Sequence, residues 1–180
     1  MRVLGILWNG MQEHLEEALN DISKYGDIKD AFTLNLGESY ENFVRDIYAQ
    51  DTIAEWKVNK KLETMFQCSD SRKITIVIVD VDTPKKEYHP LKKRMVYTNL
   101  ENMKVNIRKK YSEIVKHYFF DNTLHATDDE GEFKADFGVI MSYVEKGFQP
   151  EPVELKSALE KGKVFEKGRL SNGTQKPNKE

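Results

Sequence analysis

An α/β fold is the expectation for this chain, and three observations carry it. Short apolar or β-branched runs at residues 2–8 and 74–79 read as buried strands. Longer stretches, such as 11–25 and 98–115, repeat apolar residues at three- and four-residue spacing, as amphipathic helices do. The two kinds of segment alternate along the chain, which is the pattern of a sheet with helices packed on it.

Taken in order, residues 2–8 form a strand, and Asn9-Gly10 turns it into a helix over 11–25. There Leu15, Ala18, Leu19 and Ile22 share one face, and Gly26 closes the helix as a C-terminal glycine. Residues 31–36 alternate apolar and polar, as an edge or half-buried strand does. Two helices follow, striped by Tyr40, Phe43, Val44 and Ile47, then by Ile53, Trp56, Leu62, Met65 and Phe66. The β-branched run 74–79 is the strongest strand and is expected at the centre. A Pro- and Lys-rich loop spans 83–97, and Thr98-x-x-Glu101 caps a further helix with Leu100, Met103, Ile107, Tyr111, Ile114 and Val115 on its buried side. Tyr118-Phe119-Phe120 reads as a short strand, Thr127-Asp-Asp-Glu130 as a capping box, and Phe133, Phe137, Ile140, Met141 and Val144 as one more helix. Four strands then make one sandwich with helices against one face. This domain covers residues 1–146. The extension 147–180 begins with a linker at 149–152, has room for a short helix over 153–159, and has the composition of a disordered tail from Gly168.

With 180 residues, 39% hydrophobic and 32% charged, the chain supports one modest core under a heavily solvated surface. A formal charge of -2 argues against a typical nucleic-acid binder. Cys68 is the only cysteine, so no intrachain disulfide forms and a reducing compartment is expected. No run approaches a bilayer span and the first residues read as a strand, not as a signal peptide; a cytoplasmic protein with no membrane partner is the expectation.

The sharpest local feature is Asn122-Thr-Leu-His125-Ala-Thr127-Asp128. It sets a histidine at a strand-to-helix turn, on rigid backbone, near N–H groups able to hold phosphate. An imidazole ionises near neutrality, so His125 suits a phosphohistidine or general-base role; a surface or capping histidine is the plainer account. Asp128 and Asp136 are the carboxylates able to fix its tautomer. Residues 85–116 hold ten Lys/Arg against three Glu, a local patch suited to polyphosphate or a nucleic-acid backbone, although a solvated helix face explains most of these lysines. Arg108 is the exception. Lys57, Lys60 and Lys61 share a helix with Trp56 and carry the same two readings. Asp80 and Asp82 point to one side of the central strand and are the candidate Mg²⁺ ligands of a nucleotidyl- or glycosyl-transferase. Charged residues ending a strand are the simpler reading of that pair. His14, His89 and His117 show no metal-ligand spacing, and the acidic residues around 128–136 complement a helix N-terminus.

The element order and the motif resemble nucleoside diphosphate kinases. That family places its nucleophilic histidine in Asn-x-x-His-x-Ser-Asp at the last strand of a ferredoxin-like four-stranded antiparallel sheet. Asn122, His125, Thr127 and Asp128 match that spacing, with Thr for Ser, and Ile107-Arg108-Lys-Lys-Tyr111 is similar to the family's Ile-Arg-x-x-Phe. The resemblance implies a nucleoside triphosphate as ligand, Mg²⁺ bound with it, and a symmetric homo-oligomer. It implies that His125 carries the phosphoryl group, Arg108 grips a phosphate oxygen, and Asn122 meets sugar or phosphate. Asp136 stands at the offset of the family's orienting glutamate, one methylene shorter, so that a water or a helix shift bridges the gap. Where the family's first strand ends in Lys-Pro-Asp-Gly, this chain has Trp8-Asn9-Gly10. A non-catalytic nucleotide- or partner-binding module of the same fold is therefore the alternative, beside the Asp80/Asp82 transferase.

Overall fold

The computed structural model describes residues 1–83, 85–119 and 121–172, with side chains to residue 168. Strand β1 (Arg2–Leu7) is followed by a 3-10 turn at Asn9–His14 and helix α1 (Leu15–Ser23). Strand β2 (Gly26–Asn35) leads to α2 (Tyr40–Tyr48) and α3 (Glu55–Cys68), and β3 spans Lys73–Val81. A hairpin of β4 (Lys86–His89) and β5 (Arg94–Tyr97) precedes α4 (Thr98–Ser112). Then come β6 (Leu124–Ala126), α5 (Glu130–Glu145), β7 (Glu151–Pro152) and α6 (Leu155–Asn172).

The main sheet is antiparallel throughout, in the order β6-β1-β3-β2-β7, so β3 is central as its composition requires. It has five strands where four were expected, because Glu151 and Pro152 pair with Thr33 and Phe32. A proline pairs here because β7 lies at the sheet edge.

Helices cover both faces, not one. In β1, Val3 and Leu7 pack with α1, α4 and α6, while Leu4 and Ile6, with Trp8 beyond the strand, pack with α2, α3 and α5. Val77 and Val79 of β3 face the first set; Ile74 and Ile76 face the second. A strand apolar at nearly every position must be covered twice, which is what the unbroken runs in β1 and β3 express.

Other local expectations shift for physical reasons. Gly26 does not cap α1; Lys24 does, and Gly26 starts β2, where a Cβ would lie 2.3 Å from the Asp80 carbonyl oxygen. The loop expected over 83–97 contains the hairpin, whose four-residue strands are too short to show a period. Thr98 begins α4 without capping it, and Glu101 instead binds Lys92 and Lys104. Tyr118 and Phe119 are not in a strand; the strand is Leu124–Ala126, and Phe120 lies outside the described residues. The capping box of α5 sits two residues later than read: Asp129 accepts from Glu132 N, and Glu132 accepts from Asp128 N. Helix α6 runs on past 159 to Asn172, with Ala158 in the core and Gly162 against α1, so residues 168–172 are helical; 173–180 lie outside the described residues.

Candidate functional site

Strand β6 sets the site. His125 pairs with Ile6 of β1, and Thr127 locks the register: its Oγ1 accepts from Leu4 N at 3.0 Å and its own N donates to Leu4 O. Thr127 is thus fully buried and fastens β6, and it does not reach the cleft.

A cleft of about 760 Å³ opens over His125. Its walls are the turn after α2 (Tyr48 to Ile53), Lys61 of α3, Lys92 and Arg94 from the hairpin, Lys104 and Arg108 of α4, and the start of α5. His125 Nε2 lies 2.7 Å from Asp136 Oδ2, with the two side chains 13% and 8% exposed. The shorter aspartate therefore reaches the ring directly, without the water or helix shift expected of it. With Asp136 Oδ2 as the acceptor of this contact, Nε2 carries the hydrogen and the lone pair falls on Nδ1. Nδ1 has no hydrogen bond among the described residues. Tyr48 meets the ring edge-on at 5.5 Å and Trp8 lies tilted at 6.5 Å, so two aromatics hold the imidazole plane.

Trp8 follows the first strand directly. It is fully buried among Tyr40, Phe43 and Tyr48, and it walls the histidine with apolar surface. Asn9, next to it, donates to the carbonyls of Met65, Ser69 and Ser71 and accepts from Tyr40, so it ties α3 to the turn. Positive charge reaches the cleft from other elements instead. Arg108 donates from Nε to Leu124 O at 3.1 Å, and its Nη1 lies 3.3 Å from Asp121, which holds the guanidinium beside β6. Asp121 takes the left-handed conformation (φ 58°), one that aspartate tolerates better than most residues. Lys61 is 3% exposed, and burial pushes its amine down to about 8. It also lies over the Tyr48 ring, 4.9 Å from the centroid.

Three cations surround Asp128: Lys104 and Arg94 in direct contact, and Lys92 at 3.7 Å. Burial alone would raise the Asp128 carboxyl, but Lys104, Lys92 and Arg94 outweigh it and hold it below the ordinary range. Across the cleft, Asp51 follows Tyr48 at the end of α2, and burial pushes its carboxyl up. The N–H groups of Asp128 and Glu132 are already taken by carboxylates, so the start of α5 offers phosphate fewer donors than its sequence suggested.

The structure thus brings together His125, Asp136, Arg108 and Asp128, and leaves the other candidates elsewhere. Asn122 is buried and donates to Thr64, Cys68 and His117 O beneath the turn. Lys57 borders a neighbouring hollow, and Lys60 is exposed and paired with Glu63. Asp80 binds both Nε and Nη2 of Arg2, four residues along β1 from the partner of His125, and Asp82 is exposed. Sequence reading ranked Lys61, Lys92, Arg94 and Lys104 too low and passed over Asp51. The excess of basic residues in 85–116 was the available signal for the middle pair and Lys104; nothing local marks Asp51. Among the described residues, no group of three His, Cys, Asp or Glu side chains is placed to hold a metal ion, and no helix is long and apolar enough to cross a membrane.

The chain matches no protein-family model and no curated protein.

Proposed function

We propose that the cleft binds the phosphate chain of a nucleoside triphosphate or related nucleotide, and that His125 accepts a phosphoryl group from it. The observation that carries the reading is the His125–Asp136 contact at 2.7 Å in a cleft lined by Arg108, Lys61 and Lys104. A histidine held by a carboxylate through one nitrogen presents a nucleophilic lone pair on the other. As the N–P bond forms and the bond to the bridging oxygen breaks, the ring gains positive charge, which Asp136 stabilises. The nucleoside diphosphate leaves as an anion and needs no proton. Arg108 and the buried lysines neutralise charge on the phosphoryl oxygens, so catalysis rests on positioning and electrostatics.

The strand order β6-β1-β3-β2 supports a ferredoxin-like sheet extended by β7, and with it the kinship to nucleoside diphosphate kinases. Lys61 supplies charge on the side where Trp8 replaces the family's lysine, and Lys104 supplies it from α4 on the other side of the sheet. Mg²⁺ would enter on the nucleotide's own phosphates, since no protein cage for it is placed here among the described residues. The non-catalytic alternative predicts binding without turnover, and the Asp80/Asp82 transferase predicts independence from His125.

Incubation with γ-labelled ATP and Mg²⁺ tests the reading. Acid-labile label is expected on wild type and absent from His125→Ala. In Asp136→Asn labelling slows by roughly a hundredfold or more, because the tautomer is no longer fixed. Label that is absent from folded wild type, or that persists in His125→Ala, refutes phosphoryl transfer through this residue.

A further inference from the structure

Of the carboxylates that line the cleft, Asp51 stands apart. Asp51 lines both the main cleft and the hollow beside it, one helical turn beyond Tyr48, whose ring touches His125 edge-on. Unlike Asp121, Asp128 and Asp136, its carboxylate has no hydrogen bond or ion pair among the described residues. It is solvent-accessible at the rim, so a ligand can reach it. Lys61, which lines both hollows with it, favours its charged form, and Asp136 and Asp128 oppose it; His125 lines the same cleft.

We infer that Asp51 is a general base, and that the acceptor of the phosphoryl group is an alcohol hydroxyl, not a nucleoside diphosphate. The inference rests on His125 being the phosphoryl carrier. A nucleoside diphosphate attacks phosphohistidine through an oxygen that already bears charge, so it needs no base. A hydroxyl is a poor nucleophile until its proton is taken, and a positioned carboxylate contributes about 10²–10⁴-fold to such a step. The hydroxyl oxygen bonds to phosphorus, the N–P electron pair returns to Nδ1, and the hydroxyl proton passes to Asp51. The products are a phosphomonoester and free His125, and Asp51 releases its proton to water. Partial desolvation, with Asp136 and Asp128 nearby, raises the Asp51 carboxyl above its ordinary value, which makes it a stronger base than a free carboxylate. Its freedom from partners also means that Asp51→Asn removes the base without breaking a contact of the fold.

The test isolates the second half-reaction. Enzyme labelled on His125 from γ-labelled ATP is freed of nucleotide, then chased with glycerol or with ADP. Wild type is expected to form labelled glycerol phosphate. Asp51→Asn is expected to lose roughly a hundredfold in transfer to glycerol, with a loss on ADP at least tenfold smaller. Transfer to ADP with no glycerol phosphate from wild type, or equal losses on the two acceptors, overturns the role of Asp51 and leaves His125 as carrier. Failure of ATP to label wild type at all removes the carrier, and the acceptor assignment falls with it.

Discussion

Asp128→Asn separates the structural part of this cleft from its binding part. The change keeps shape and removes one charge from a cluster in which Lys104 is 3% exposed and Asp128 19%. Breaking a buried ion pair outright costs about 3–5 kcal/mol, because it strands a desolvated charge. Here Glu101 remains 2.7 Å from the Lys104 ammonium, so the stranding is partial and about 2 kcal/mol is expected. For a chain of this length that lowers Tm by roughly 4–8 °C at pH 7. The pH dependence follows from linkage. The folded-state carboxyl lies below its unfolded value, so its contribution is complete above the unfolded value and is lost as pH falls through the folded one. The gap between wild type and Asp128→Asn should therefore close in acid. Meanwhile Lys104, Arg94 and Lys92 lose a competitor, and inorganic pyrophosphate should bind the variant more tightly by roughly a factor of a few. Thermal melts across pH with parallel calorimetric titrations give both readings. A Tm unchanged at pH 7, a gap that persists at low pH, or weaker pyrophosphate binding would refute the reasoning.

Three further perturbations follow from the packing. Gly162→Ala places a Cβ 2.2 Å from the Glu16 carbonyl oxygen and 2.7 Å from Asn20 Cβ, so α6 must move off α1 at a cost of about 1–3 kcal/mol. Gly138→Ala on the open face of α5 meets nothing and should stabilise by about 0.5–1 kcal/mol; urea midpoints of opposite sign are expected. Lys61→Met removes an amine whose folded value, about 8, lies below the ordinary 10.5. The burial penalty is complete below about pH 8 and vanishes above about 10.5, so the variant should be the more stable protein at pH 7 and lose that advantage through this window. Its pyrophosphate affinity should fall, and an unchanged affinity would remove Lys61 from the binding wall.

How much was legible depended on how local each signal was. The hydrophobic runs of β1 and β3 and the periodicity of α2, α4 and α5 stand in consecutive residues, and the structure has those elements. Strands β4, β5 and β7 have two to four residues each, below the length at which alternation can be read. They exist because a partner strand supplies their hydrogen bonds. In the site, His125, Arg108, Asp128 and Asp136 were visible because motif spacing along β6, α4 and α5 brings them together. Asn122 and Thr127 belong to the same motif yet point into the protein, where they hold the turn and the strand register. Motif membership said nothing about which way each side chain faces.

The sequence by itself determined the class of the molecule: apolar runs that must be buried, helices with one wet side, and a histidine at the end of a strand. Those properties follow from residue type and short-range period, which need no partner to be defined. Only the tertiary structure decided what surrounds that histidine. Lys61, Lys92, Arg94, Lys104 and Asp51 come from α3, the hairpin, α4 and the end of α2, separated by tens of residues. Their approach is set by helix packing on both faces of the sheet. The same burial that brings Lys61 into the wall moves its charge equilibrium, and three cations turn Asp128 from a cap residue into the centre of an ion cluster. Charge in a cleft depends on distance and desolvation, and neither is a property of the chain until it folds.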